Sequence, residues 1–142
     1  INPRRGDIFS SIFAKQIVNI ENRKQEILLH GNLDSVRTLM DVRDMAAAYF
    51  AAVRYCDYGV PYNVGGKDVI SVKDFLKKLK QQSHTNIVSQ LDQLLLRPVD
   101  VTMQIPDTTR FVQSTNWQPK YTLNESISFL LDYYRSELGY DW

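Results

Sequence analysis

Cysteine, histidine and glycine are scarce in this sequence, and each scarcity closes off a class of chemistry. One cysteine, Cys56, leaves no partner for an internal disulfide. Its helical spacing from Met45, Tyr49 and Val53 reads as the buried thiol of a cytoplasmic protein. The two histidines, His30 and His84, lie far apart with no partner at metal-ligand spacing, so both read as loop residues and no metal site is expected. The six glycines contain no G-x-G-x-x-G turn, and no tyrosine is followed four residues later by lysine. There is no nucleophile elbow of G-x-S-x-G form and no zinc-protease helix. No apolar run approaches the ~20 residues of a membrane helix, and nothing resembles a signal peptide. A net charge of +1 carries no bias toward nucleic acid or acidic membranes.

What is present describes one soluble α/β domain. The 142 residues are 44% apolar and 23% charged, enough to bury a core without disulfides. The chain begins at Ile1 rather than methionine and reads like the middle of something longer. Helical and short apolar segments alternate. A first helix is expected over 8–20, with Phe9, Ile12, Phe13, Ile17 and Ile20 on one stripe. Residues 27–31 read as a short buried strand. A second helix runs from Val42 to Asp57, capped by Asp41 with Asp44 in its first turn, and Tyr58-Gly59 stops it. Residues 60–66 read as a strand ending in a double-glycine turn. Ser71 opens a third helix, with Val72, Phe75, Leu76 and Leu79 on its apolar face. Residues 86–101 read as irregular and extended. Asp107 is the expected cap of a short helix. Asn124 is the expected cap of the last helix, with Leu123 as its staple and Ile127, Leu130, Leu131 and Tyr134 on its inner face.

The chemistry that remains is a set of loop arginines with acidic neighbours: Arg37, Arg43, Arg97 and Asp100. Arginine forks bind phosphate bidentately, and a carboxylate can accept from sugar hydroxyls. By spacing alone the same set also reads as surface ion pairs of little energetic weight. The densest stretch is 30–50, where His30, Asp34, Arg37, Asp41, Arg43 and Asp44 crowd a loop just before an alanine-rich helix.

The order of motifs narrows this. PRRGD, the helix FAKQI, GNLDSVRTLMDVRDMAAAYFAAV, YNVGG, SVKDFL, LRPVDV, a D-x-x-R helix and TNWQP together resemble the C-terminal half of extended short-chain dehydrogenase/reductases acting on nucleotide sugars. The resemblance is strongest to the GDP-mannose 4,6-dehydratase and GDP-4-keto-6-deoxymannose reductase branch, and MDVRDMAAAYF leans toward the reductase. It implies an α/β fold, the C-terminal substrate-binding portion of a Rossmann-type protein, with an incomplete sheet and a mostly helical small lobe spanning 1–142. It implies that Arg37 and Arg97 grip the nucleotide diphosphate, that Asp100 meets the ribose hydroxyls, and that Ser10 and Phe13 face the base and phosphate. Asp41, Arg43 and Asp44 resemble a structural turn that locks a short strand to the next helix.

In that family the glycine-rich loop and the Ser/Thr, Tyr and Lys set lie in the N-terminal half, which this chain does not contain. The resemblance therefore implies NAD or NADP in an intact parent and none bound by this chain alone. It implies a GDP-hexose as the favoured ligand, and either the missing half or self-association as the partner. Two alternatives stay open: an inactive remnant acting as a binding or scaffold protein, and an epimerase of UDP-sugars.

Overall fold

The computed structural model describes residues 1–139. Ten elements follow in order: α1 (Phe9–Glu21), β1 (Leu28–His30), β2 (Val36–Leu39), α2 (Val42–Tyr55), β3 (Asp68–Ser71), α3 (Val72–Gln81), β4 (Ser89–Leu91), β5 (Met103–Gln104), α4 (Thr109–Thr115) and α5 (Leu123–Leu138). One 3-10 turn lies at Gln93–Leu95.

The strands form two small sheets. β1 pairs in parallel with β4, while β2 lies between antiparallel β3 and parallel β5. The main core sits between α1, α3 and α5. Phe13, Ala14, Ile17 and Val18 of α1 meet Phe75, Leu76 and Leu79 of α3 and Ile127, Leu130, Leu131 and Tyr134 of α5. Leu28 and Ile87 close it from below. A second, smaller cluster joins Ala48 and Ala51 of α2 to Phe111 of α4, with Tyr62, Val64 and Trp117 around it.

Several boundaries differ from the sequence reading, each for a local reason. Residues 60–66 are extended but pair with no strand; Tyr62 and Val64 spend their side chains on the second cluster instead. The strand begins at Asp68, and the double glycine serves a close approach rather than a turn. A Cβ on Gly66 would fall 1.9 Å from the Leu39 carbonyl oxygen, so β3 can reach β2 only with glycine there.

The last helix is capped by Thr122, not Asn124. Thr122 Oγ1 accepts from the Glu125 N–H while the Glu125 carboxylate accepts from the Thr122 N–H, a reciprocal box that Asn124 cannot form. Asp107 accepts from the Thr109 N–H at 2.9 Å, but the cap position itself is Thr108. Cys56 ends α2 half-buried against the second cluster, whereas Tyr49 and Val53 point outward. No helix among the described residues is long and apolar enough to cross a membrane.

Candidate functional site

One cleft of about 560 Å³ opens between the start of α1, the β1–β2 loop and the stretch leading into β5. α1 presents Phe9, Ile12 and Phe13 to it, one turn apart on a single face. No side chain caps the first amides of α1, and its first turn holds no acid. Arg5 and Asp7 border the cleft just before that end, joined to each other at 2.8 Å. β1 ends on His30, whose Nδ1 lies 2.8 Å from the Gly31 carbonyl oxygen. β2 contributes Arg37, the 3-10 turn contributes Leu95, and the run after it contributes Arg97, Val99, Asp100 and Val101.

The two cleft arginines are held differently. Arg37 is tied into the fold: its guanidinium donates to the Val36 carbonyl at 2.9 Å and to the Val101 carbonyl at 2.6 Å. It also faces Asp100 at 3.7 Å. Arg97 is exposed and makes no hydrogen bond or ion pair with the described residues. Asp100 accepts from Ser35 Oγ at 2.9 Å and from Asn32 Nδ2 at 3.0 Å. Those two hydrogen bonds hold its carboxyl below the usual carboxylate range, with a smaller push from Arg37.

Arg37, Arg97, Asp100 and Phe13 thus border one cleft although they are scattered over the sequence. Ser10 does not. It is 2% exposed and absent from the cleft wall, because it sits one helical step from Phe9, turned toward the interior. Phe13 is itself 4% exposed, so it forms the floor, and Phe9 and Ile12 offer more surface. Spacing at i, i+3 and i+4 was the available signal for those two, but it read only as core.

Asp41, Arg43 and Asp44 of the 30–50 stretch are scaffold. Asp41 caps α2, accepting from the Arg43 N–H at 2.9 Å, and holds the Arg43 guanidinium through both carboxylate oxygens. Asp44 is 2% exposed and accepts from the backbone N–H of Lys120 and Tyr121 at 2.9 and 3.1 Å, tying α2 to the entry of α5. The recess beside them has about 10 Å³ of free space, too little for an organic ligand.

Comparison with known proteins fits this arrangement. The family model of GDP-mannose 4,6 dehydratase matches residues 1–129. The chain belongs to the GDP-mannose 4,6 dehydratase family. The extended short-chain dehydrogenase/reductase architecture read from the motif order is therefore correct. The GDP-6-deoxy-D-mannose reductase of Pseudomonas aeruginosa is 23% identical over 140 residues, which is 97% of this chain and 46% of that protein. The structure of RMD from Pseudomonas aeruginosa complexed with NADPH superposes with a TM-score of 0.86 at 21% identity, covering 94% of this chain and 44% of that one. The UDP-glucose 4-epimerase of Thermotoga maritima with UDP-glucose gives a TM-score of 0.75 at 25% identity, covering 96% and 42%. The chain spans less than half the length of these family relatives.

Among the described residues, the starts of α1, α2, α3 and α5 differ from a dinucleotide-binding turn. α2, α3 and α5 close their first turns on Asp41, Ser71 with Asp74, and Thr122 with Glu125. α1 follows a single glycine, Gly6, where an added Cβ would meet Lys15 Nζ at 2.5 Å. None of these is the open glycine-rich turn that receives a pyrophosphate in a dinucleotide fold.

Proposed function

We propose that this chain is the nucleotide-sugar-binding portion of a cytoplasmic NAD(P)-dependent enzyme that modifies a GDP-hexose at C4, by 4,6-dehydration or by 4-keto reduction. The observation that carries the reading is the meeting of Arg37 and Arg97 across one cleft floored by Phe9 and Phe13. Two guanidinium groups supply planar forks for a diphosphate. The aromatic and aliphatic wall supplies a face for a base. Membership of the family and the likeness to a GDP-6-deoxy-D-mannose reductase favour GDP over other nucleotides; the family model speaks for dehydration and the reductase relative for reduction. The proton and hydride chemistry belongs to the dinucleotide-binding half, which is also the expected partner of this chain.

Calorimetric titration of the chain with GDP, UDP and NADPH tests this. GDP should bind, UDP more weakly, and NADPH not at all. Arg97→Ala should weaken GDP by about 1.5–3 kcal/mol, the scale of a hydrogen bond to a charged group. Micromolar NADPH binding, or GDP affinity indifferent to Arg97, would sink the assignment. UDP binding tighter than GDP would favour the epimerase reading, for which the likeness to a UDP-glucose 4-epimerase speaks.

A further inference from the structure

We propose that His30 is a specificity-determining residue whose bare Nε2 accepts a hydrogen bond from the exocyclic amino group of a guanine base. This rests on the reading of the cleft as a nucleotide site. His30 Nδ1 lies 2.8 Å from the Gly31 carbonyl oxygen. A carbonyl oxygen only accepts, so Nδ1 carries the proton, and in the neutral ring Nε2 is left with a lone pair. Nε2 has no hydrogen-bond partner among the described residues and is not sealed from solvent.

The fold aims and holds that lone pair. Side chains alternate along β1, so His30 turns to the side of Leu28, which is buried in the core with Phe13 and Ile17 of α1. The ring therefore stands on the α1 side of the cleft, with the Phe9, Ile12 and Phe13 wall that would face a base. Its backbone is fixed: the His30 carbonyl accepts from the Asp92 N–H at 2.9 Å, and a Cβ on Gly31 would fall 2.5 Å from the Leu95 carbonyl oxygen. The other uncharged polar side chains of the cleft are engaged or sit elsewhere. Asn32 gives Nδ2 to Asp100 and takes the Asp34 N–H on Oδ1, Ser35 donates to Asp100, and Gln104 pairs in register with Arg37.

A bare acceptor discriminates between bases. The guanine amino group offers an N–H that points away from the ring carbonyl. The imide N–H of uracil is flanked by two carbonyl oxygens, and each repels a lone pair brought up to it. Hypoxanthine matches guanine but lacks the amino group, so inosine diphosphate isolates this one contact.

The experiment titrates the wild-type chain, His30→Phe and His30→Gln with GDP, inosine diphosphate, UDP and inorganic pyrophosphate at mildly alkaline pH, where an imidazole is neutral. The wild-type chain should bind GDP about fivefold tighter than inosine diphosphate, the weight of one neutral hydrogen bond. His30→Phe keeps a flat ring without the acceptor, so GDP should fall to the level of inosine diphosphate while pyrophosphate is unmoved. His30→Gln restores an acceptor and should recover part of the preference. Equal losses for all three nucleotides in His30→Phe would make His30 a wall residue only and overturn the proposal. Long-range proton–nitrogen correlation spectra of the wild-type chain read the ring without a variant at this position, and His84, the one other histidine, is sorted out by His84→Gln. A protonated Nδ1, with an Nε2 resonance that moves on adding GDP but not inosine diphosphate, is the expected result; a proton on Nε2 overturns it. A chain that binds pyrophosphate but does not prefer GDP to inosine diphosphate refutes this inference and leaves the diphosphate site standing. A chain that binds neither nucleotide nor pyrophosphate takes down both.

Discussion

Arg43 grips Asp41 through two parallel hydrogen bonds, Nε to Oδ1 at 2.8 Å and Nη2 to Oδ2 at 2.7 Å. The Asp41 side chain is wholly buried, and the guanidinium lies over the rings of Tyr121 and Phe129 at 3.7 and 4.2 Å. Arg43→Ala leaves a buried carboxylate with fewer donors and strips two ring contacts. The expected cost is roughly 3 kcal/mol, read as a lower urea midpoint. Arg43→Lys should recover only part, since lysine has no planar fork. An unchanged midpoint would refute the lock.

Asp44 satisfies two backbone amides with two carboxylate oxygens. Asp44→Asn replaces one acceptor with a donor and sets N–H against N–H. Chemical denaturation should show a loss of about 2 kcal/mol, the scale of an unsatisfied buried group. GDP affinity should stay within error, because the contact lies outside the cleft. A variant that loses GDP binding while keeping its stability would contradict the scaffold role.

Two buried ion pairs set the acid limit. At Glu21, burial works against ionisation, but Arg135 at 2.9 and 3.0 Å and the His84 N–H at 2.8 Å outweigh it and hold the carboxyl below its ordinary value. Asp41 is lowered in the same way: burial opposes, and hydrogen bonds from Arg43 and Ser126 prevail. A carboxyl with a lowered folded-state pKa binds fewer protons when folded. Its contribution is complete above the ordinary carboxylate range, about pH 4, and fades as pH falls through the lowered value. Thermal midpoints should therefore hold near neutrality and drop below that range. Glu21→Gln should lower the neutral plateau and flatten the drop; an unaltered acid limb would rule Glu21 out.

α2 carries a bare apolar face. The inner face of α1 is covered by α3 and α5. On α2, Tyr49 and Phe50 are 66% and 65% exposed and Val53 is 87% exposed, one turn apart. Such a face on a chain less than half the length of its relatives fits the seat of a missing neighbour. The purified chain should self-associate in light scattering, and Phe50→Glu with Val53→Lys should return it to a monomer. A wild-type chain that stays monomeric at high concentration would count against it.

What could be read without coordinates followed from how local each signal is. The faces of α3 and α5 were legible because Val72, Phe75, Leu76 and Leu79, and Ile127, Leu130, Leu131 and Tyr134, repeat at helical spacing and all end buried. β2 was hidden inside the charged stretch: it is only four residues long, and its neighbours β3 and β5 come from far along the chain. The cap of α5 was misplaced by two residues because Thr122 and Asn124 are both good caps, and only the partner Glu125 distinguishes them. In the cleft, the arginines stood out by type. The internal partners of Asp100 did not, since Asn32 and Ser35 lie more than sixty residues away. The inward turn of Ser10 depends on helix phase, which a one-residue error reverses.

The packing of α1 against α5 sets a schedule for folding. The first and last helices supply facing walls of the same core, and the Tyr134 hydroxyl closes on the Pro3 carbonyl while Arg135 closes on Glu21. Nearly the whole chain must be made before those walls can meet. On a ribosome, α1 emerges with Phe13, Ile17 and Val18 uncovered, meets α3 first, and waits through more than a hundred residues for α5. Such high contact order slows folding and lengthens the interval in which apolar surface is open to chaperones or to other chains. A nascent chain stalled before Leu123 would hold α1 and α3 against each other with one wall of their core open.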